Sequence, residues 1–124
     1  YGMLDMTFHD RYDPDHDSRS TTDLVRELQE DITLFDFMEG THFEAGFGHL
    51  FGYAAGYYGY LWSKVFAEDM FSVFQEDGPM SPRAGERLRE KVLKKGASVE
   101  EKEIVRDFLG REPRYEPFLK SIGI

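Results

Sequence analysis

One segment of the chain concentrates side chains that could hold a peptide and stabilise negative charge on an oxygen atom. The twelve positions from His49 to Tyr60 contain one histidine, four tyrosines and three glycines. Tyrosine combines a flat apolar ring with a hydroxyl donor, and a histidine N–H can donate as well. Glycine allows the backbone to bend or to approach a ligand closely. These residue types predict a peptide-binding site with oxyanion-stabilising donors, although composition alone leaves a structural role for His49 equally open.

A second group of polar residues has the opening pattern of a calcium-binding loop. Asp13, Asp15 and Asp17 alternate as the first ligands of an EF-hand do. The sixth position of the loop is Ser18 instead of glycine, and the twelfth is Leu24 instead of glutamate. The segment is therefore interpreted as a solvated turn.

The remaining histidines do not have the spacing of metal ligands. His9, His16 and His42 lie far apart in sequence, and the zinc-peptidase pattern His-Glu-x-x-His is absent. We expect these three to be surface or packing residues. Cysteine is absent as well, which excludes disulfides and thiolate metal ligands. No metal site is predicted within the chain.

Composition sets further bounds on function. The 124 residues suffice for one domain with one core. A net charge of −9 argues against nucleic-acid binding, which depends on Lys and Arg patches. No apolar run approaches the roughly 20 residues that span a bilayer. The chain opens at Tyr1 in an apolar pattern without a signal-like segment, which suggests a piece of something longer.

Hydrophobic periodicity and capping residues predict an all-α domain of five or six helices joined by short links, with no strand. Ser20 or Thr21 begins a helix whose first turn contains Asp23. Ser81 caps another helix that runs to about residue 95, and a capping box at Ser98 opens a helix ending at Gly110. The other predicted elements are a helix end over residues 1–12, a connector over 33–42, a short helix over 43–50, the glycine–tyrosine loop, a helix over about 57–75 and a last short turn or helix bracketed by Pro113 and Pro117.

The helix predicted over residues 57–75 is apolar on nearly every face. Such a helix is normally buried. We therefore expect Trp62, Phe66, Met70 and Phe74 to be core residues and not ligand contacts.

The glycine–tyrosine segment also resembles the C-terminal part of the thimet oligopeptidase family, which includes neurolysin and oligopeptidase A. The likeness covers nearly the whole chain, and the combination of motifs is specific. The matching stretches are Phe47–Leu50, Gly52-Tyr53, Ala55–Trp62, Asp69–Phe71, Gly85, Phe108–Pro113 and Phe118–Ile124, with Leu28-Gln29 and Gly40-Thr41 upstream.

The resemblance implies a part of a mostly helical zinc metalloendopeptidase that hydrolyses short peptides. In that family the zinc ligands and the water-activating glutamate belong to an upstream segment that these residues lack. Zinc is thus expected in the parent enzyme and not in this chain, which would be inactive alone. Peptides are the expected partners, with no nucleic acid and no membrane, and the expected compartment is the cytoplasm.

The resemblance also assigns roles to the glycine–tyrosine segment. His49 and Tyr60 are expected to be catalytic, as oxyanion donors. The expected substrate-binding residues are Tyr53, Tyr57, Tyr58, Gly52 and Gly56. The choice between Tyr57 and Tyr58 is open. Many family members have one more residue between the histidine and the first tyrosine, so that the shorter loop could shift His49 or Tyr53 out of register.

Two other functions remain as alternatives. The chain could be a helical binding or scaffold domain that keeps the peptidase fold without its chemistry. An independent enzyme built on His49 is disfavoured because no nucleophile can be named. We also expect exposed apolar surface to drive self-association, most simply as a symmetric dimer.

Overall fold

The computed structural model describes all residues from 1 to 124 and contains helices and turns without strands, which confirms the all-α prediction. It has eight α-helices instead of five or six, because the helix predicted over residues 43–50 is divided into two and the last segment forms a helix of its own. They are α1 (Gly2–Met6), α2 (Thr21–Ile32), α3 (Phe43–Gly46), α4 (His49–Gly52), α5 (Gly59–Asp77), α6 (Pro82–Leu88), α7 (Glu101–Leu109) and α8 (Glu116–Ser121). None of them combines the length and hydropathy needed to cross a membrane.

The chain divides into two compact units, Tyr1–Tyr60 and Leu61–Ile124. In the first unit, α1 continues as a π-helical turn over Thr7–Arg11. The core is formed by four buried side chains and by the partly buried ones packed around them. The buried set is Leu4, Val25, Phe47 and Leu50, and the surrounding set is Phe8, Leu28, Phe37 and Tyr57.

The start of α2 follows the predicted capping pattern. The hydroxyl of Ser20 accepts a hydrogen bond from the backbone N–H of Asp23 at 3.1 Å. The Asp23 carboxylate in turn accepts from the backbone N–H of Ser20 at 2.9 Å. This reciprocal pair satisfies two backbone donors that no earlier turn of helix could satisfy.

The single helix predicted over residues 43–50 is wrong. The chain forms α3, leaves the helix at Phe47, and begins α4 at His49. Phe47 has a backbone ψ of 81° and its side chain is buried in the core. Glycines on both sides of Phe47 make this break inexpensive, because glycine has a low helix propensity. His49 thus begins a helix, where the sequence had placed it at a helix end.

Several of the helix ends that the sequence predicts lie in the second unit. Ser81 caps α6, its hydroxyl accepting from the Ala84 N–H at 3.4 Å, and Pro82 is the first helical residue. The helix that was predicted to continue to residue 95 passes into a π-helical turn over Arg89–Leu93. Gly96 has a φ of +51° and Gly110 a φ of +72°, as expected for glycines that follow a helix.

The capping box predicted at Ser98 is wrong. The helix α7 begins at Glu101, so Glu100 and not Ser98 is the N-cap residue, and no side chain caps the helix. The hydroxyl of Ser98 donates instead to the carbonyl of Lys95 at 2.7 Å. A short 3₁₀ turn over Gly96–Ser98 places that carbonyl within reach, so a local bond replaces the cap.

The core of the second unit is built around Phe108, which is fully buried. The ring of Phe74 stacks on it at 6.4 Å, and the guanidinium of Arg87 lies 5.3 Å from its ring centre. Ala84, Ile104 and Leu109 are buried as well. The helices α6 and α7 therefore contribute most of the buried apolar surface of this unit.

The prediction that α5 is buried on nearly every face is wrong for part of the helix. Trp62 is 60% exposed, while Phe66, Met70 and Phe74 are half-buried. The only fully buried residue of α5 is Asp69. The apolar pattern failed to identify the buried face because that face is organised around a carboxylate.

Asp69 is completely inaccessible to solvent and is satisfied by charge-assisted hydrogen bonds. Its two oxygens accept from the guanidinium of Arg111 at 2.6 and 2.8 Å, and one also accepts from the backbone N–H of Arg114 at 2.8 Å. Burial alone would raise the pKa of Asp69, but these bonds outweigh it and hold the pKa below its ordinary value.

Asp69→Asn should destabilise the chain by about 3 kcal/mol at neutral pH, because the Arg111 guanidinium loses its buried partner. A folded-state pKa that is lowered means that the stabilisation is present above the ordinary pKa of 3.8 and is lost as pH falls through the folded value. The difference in the free energy of unfolding between wild type and Asp69→Asn should therefore shrink as the pH falls below 3.8. Urea unfolding followed by circular dichroism at several pH values measures it.

The matched control is Glu103→Gln, the same chemical change at an exposed helical position. It should alter the free energy of unfolding by less than about 0.5 kcal/mol. Equal effects of the two substitutions at neutral pH would contradict the role given to Asp69.

Candidate functional site

The segment from His49 to Tyr60 folds as one helical turn, a series of tight turns and the start of a long helix. His49 is the first residue of α4, and Tyr60 is the second residue of α5. Turns over residues 53–58 reverse the chain between them. As a result, the Nε2 atom of His49 lies 3.2 Å from the hydroxyl oxygen of Tyr60, within hydrogen-bond distance.

Three tyrosine rings surround the imidazole of His49. The ring centres of Tyr57, Tyr60 and Tyr53 lie 5.2, 5.9 and 6.3 Å from it, each in an edge-to-face arrangement. Tyr57 and Tyr60 are also 4.9 Å apart. We call these four residues the His49 cluster. Edge-to-face pairs of this kind stabilise a fixed arrangement of rings.

The His49 cluster has a packed base and an open face. Tyr57 is half-buried, and its ring lies 5.1 Å from that of the core residue Phe47. Tyr53 and Tyr60 are 49% and 59% exposed, and His49 is exposed as well. The core therefore fixes one side of the cluster, and the polar atoms on the other side are free to meet a ligand.

Tyr58 lies apart from the His49 cluster. It is 56% exposed, and its ring does not pair with any ring of the cluster. Its backbone instead lies against Gly2, where an added Cβ would be 3.6 Å from the Tyr58 Cα. Of the two tyrosines left open by the sequence, the structure brings Tyr57 to His49.

The predicted glycines differ in their surroundings. Gly52 is the last residue of α4 and faces open space. Gly56 lies under the ring of Tyr53, where an added Cβ would be 2.9 Å from the nearest ring carbon. The left-handed conformation in the turn is adopted by Ala55, with a φ of +55°. The need for glycine at position 56 is thus a close contact with an aromatic ring and not a positive φ.

One residue that contacts this segment and that the sequence interpretation missed is Asp5. It is fully buried, and its carboxylate accepts from the backbone N–H groups of Ala55 at 3.0 Å and Tyr57 at 2.9 Å. Asp5 lies between the apolar residues Leu4 and Met6 near the start of the chain. A lone carboxylate in an apolar helical pattern was the signal available, because such a residue is seldom buried without a partner.

Comparisons with known proteins identify the family of the chain. The profile of Peptidase family M3 matches residues 1–124. The chain belongs to peptidase family M3. This confirms the resemblance identified from the glycine–tyrosine segment.

Relatives in family M3 include bacterial and eukaryotic oligopeptidases. Oligopeptidase A of Escherichia coli is 33% identical over 100% of this chain and 18% of that protein. The thimet-like oligopeptidase of Dictyostelium discoideum is 40% identical over 85% of the chain and 16% of its own length. Saccharolysin of Saccharomyces cerevisiae is 36% identical over 100% and 18%. The chain thus spans less than a fifth of the length of these relatives.

Peptidases of family M3 are generally zinc-dependent, so the residues present were compared with what zinc requires. Structural and catalytic zinc sites use three or four His, Cys, Asp or Glu ligands. The chain has no group of three such side chains placed to hold a metal ion.

Gly56→Ala should displace the ring of Tyr53, because the new methyl group would lie within 3.1 Å of three ring atoms. The ring is half-exposed and can rotate away, so we expect the free energy of unfolding to change by less than about 1 kcal/mol. The aromatic proton shifts of Tyr53 and its contacts to Tyr60 in NMR spectra report the displacement.

Gly52→Ala is the matched control, since nothing lies within 4 Å of its added Cβ. It should leave the Tyr53 resonances in place. Unchanged Tyr53 resonances in Gly56→Ala would show that the ring does not rest on residue 56.

Proposed function

We propose that these residues form the substrate-binding and transition-state-stabilising part of a zinc-dependent metalloendopeptidase that hydrolyses short peptides. The observation that carries the proposal is the 3.2 Å approach of His49 Nε2 to the Tyr60 hydroxyl on the open face of the His49 cluster. Membership of family M3 supports the reaction class. The zinc and the water-activating carboxylate would lie outside these residues, which span less than a fifth of the relatives' length.

His49 and Tyr60 are assigned to oxyanion stabilisation, Tyr60 as the direct donor and His49 through its hydrogen bond to Tyr60. When His49 donates its Nε2 proton to the Tyr60 oxygen, the phenol proton is free to point toward a ligand. A hydroxyl that accepts one hydrogen bond becomes a stronger donor in the other. Attack of water on a peptide carbonyl places negative charge on the carbonyl oxygen, and a donor aimed at that oxygen lowers the barrier.

Tyr53 and Tyr57 are assigned the role of positioning the peptide. Tyr57 contacts the core through Phe47, so its ring is fixed. Tyr53 rests on Gly56 and is more exposed. Two rings that both contact the His49–Tyr60 pair can hold an extended peptide while its carbonyl faces the donors.

Two further expectations belong to this proposal. We infer a cytoplasmic location for the peptidase. We also infer that the chain on its own associates as a symmetric dimer through exposed apolar residues, such as Leu34, Phe35 and Trp62, which are 99%, 77% and 60% exposed. The alternative function, a helical scaffold domain without chemistry, would share these surface properties but not a dependence on Tyr60.

Tyr60→Phe, made in the protein expressed from the full reading frame that contains these residues, should lower kcat by about 10²- to 10³-fold. KM should change little, because the ring remains and only the hydroxyl is lost. Steady-state hydrolysis of a fluorogenic peptide measures both constants. Tyr58→Phe is the matched control and should leave kcat within about two-fold of wild type. A wild-type kcat in Tyr60→Phe would overturn the role assigned to Tyr60, and absence of hydrolysis by the wild-type protein would favour the scaffold alternative.

The 124-residue chain alone should neither bind zinc stoichiometrically nor cleave peptides, because it has no group of three metal ligands. Metal analysis of the purified chain and fluorogenic-peptide hydrolysis, each with and without added zinc, provide the test. Cleavage that a chelator abolishes would refute this prediction and would make His42, His49 and the nearby carboxylates the first ligands to mutate.

A further inference from the structure

Asp5 is a charged residue in a site that excludes water. Its side chain has no accessible surface, although it belongs to a short helix at the start of the chain. An ionised carboxylate without partners would be strongly destabilising in such a place. Asp5 is satisfied by three groups, and all of them belong either to the glycine–tyrosine segment or to His9.

Two of these partners are backbone N–H groups of the turn that leads into α5. Oδ1 of Asp5 accepts from Ala55 and Oδ2 accepts from Tyr57, across fifty and fifty-two residues of sequence. The first of these donors belongs to Ala55, whose backbone is in the left-handed region with a φ of +55°. The carboxylate therefore stabilises a backbone conformation that alanine alone disfavours.

The third partner is His9, which extends the same network to the other end of the segment. Nδ1 of His9 lies 3.0 Å from Oδ1 of Asp5 and 2.7 Å from the Asp5 carbonyl oxygen. Nε2 lies 3.1 Å from the carbonyl oxygen of Leu50 in α4. Both ring nitrogens thus face oxygen acceptors. His9 connects the carboxylate to the helical turn that begins with His49.

We propose that Asp5 and His9 are positioning residues that hold the two halves of the His49 cluster in register. This inference rests on the function proposed above. Asp5 fixes the turn that carries Tyr57 and leads to Tyr60, and His9 fixes α4 next to His49. Neither residue touches the open face of the cluster. Asp5 and His9 influence the site by fixing the distance between His49 Nε2 and the Tyr60 hydroxyl.

A double-mutant cycle in the protein expressed from the full reading frame tests this inference. His9→Ala should lower kcat at least about five-fold while KM changes less, because the donors lose their alignment. In the Tyr60→Phe background the same substitution should lower kcat less than about two-fold, since the donor it aligns is already gone. Asp5→Asn replaces one carboxylate oxygen, an acceptor, by an NH₂ group, a donor. If this variant folds, it should give the same pattern of kcat changes.

His16→Ala is the matched control. His16 also bonds an aspartate earlier in the chain, Asp13, at 2.8 Å, but this pair is exposed and does not contact the glycine–tyrosine segment. It should leave kcat unchanged in both backgrounds. Circular dichroism establishes folding, and the His9→Ala cycle decides the question if Asp5→Asn does not fold.

The outcomes separate this inference from the function on which it rests. An equal fold-change for His9→Ala in both backgrounds, or no change in either, would overturn the positioning role while leaving the function of Tyr60 intact. A wild-type kcat in Tyr60→Phe alone would overturn the proposed function, and the positioning role with it. A loss confined to the background that retains Tyr60 supports both.

Discussion

The arrangement of the first unit depends on the need to satisfy one buried carboxylate. Asp5 has no solvent contact, and its oxygens can be satisfied only by donors that the chain supplies. Two of those donors are backbone N–H groups some fifty residues later. These donors belong to the backbone, so a side chain introduced into the turn cannot substitute for them. The geometry of the turn, and thus the approach of Tyr60 to His49, follows from this constraint.

The second unit also contains a buried aspartate that binds a distant segment, but it has no counterpart of the His49 cluster. Asp69 is also fully buried, and it also accepts from a backbone N–H more than forty residues later, that of Arg114. Its remaining capacity is taken by the Arg111 guanidinium. In each unit a helical aspartate thus ties a later segment to the helix by hydrogen bonds. Apolar contacts around Phe47 and Phe108 then add the non-directional part of the stabilisation.

Sequence reasoning succeeded at three helix ends whose determining interactions are local, although it failed at Ser98, where a local bond to the Lys95 carbonyl replaces the cap. The Ser20 cap of α2, the Ser81 cap of α6 and the left-handed Gly110 each depend on residues within one turn of helix. It failed where distant contacts decide. The break at Phe47 depends on burial of that side chain, and the exposure of Trp62 could not be deduced from the apolar pattern of α5.

The residues of the candidate site also fall into those that the sequence identified and those that only the structure shows. Residue types alone drew attention to His49 and the tyrosines, since a histidine and four tyrosines within twelve positions are an unusual concentration. The distinction between Tyr57 and Tyr58 required the turn geometry, because neighbouring residues in a turn can face opposite directions. Asp5 was missed because two of its three partners are backbone N–H groups, which have no sequence signature.

The shorter spacing between His49 and the first tyrosine is explained by α4. His49 and Tyr53 are four residues apart, and the Tyr53 N–H donates to the His49 carbonyl at 2.9 Å, as in a helical turn. Residues four apart lie on the same face of a helix. This places their rings 6.3 Å apart, edge to face, without further adjustment. A spacing that suggested a register shift in an extended loop is thus the spacing of one helical turn, which brings the rings of His49 and Tyr53 together.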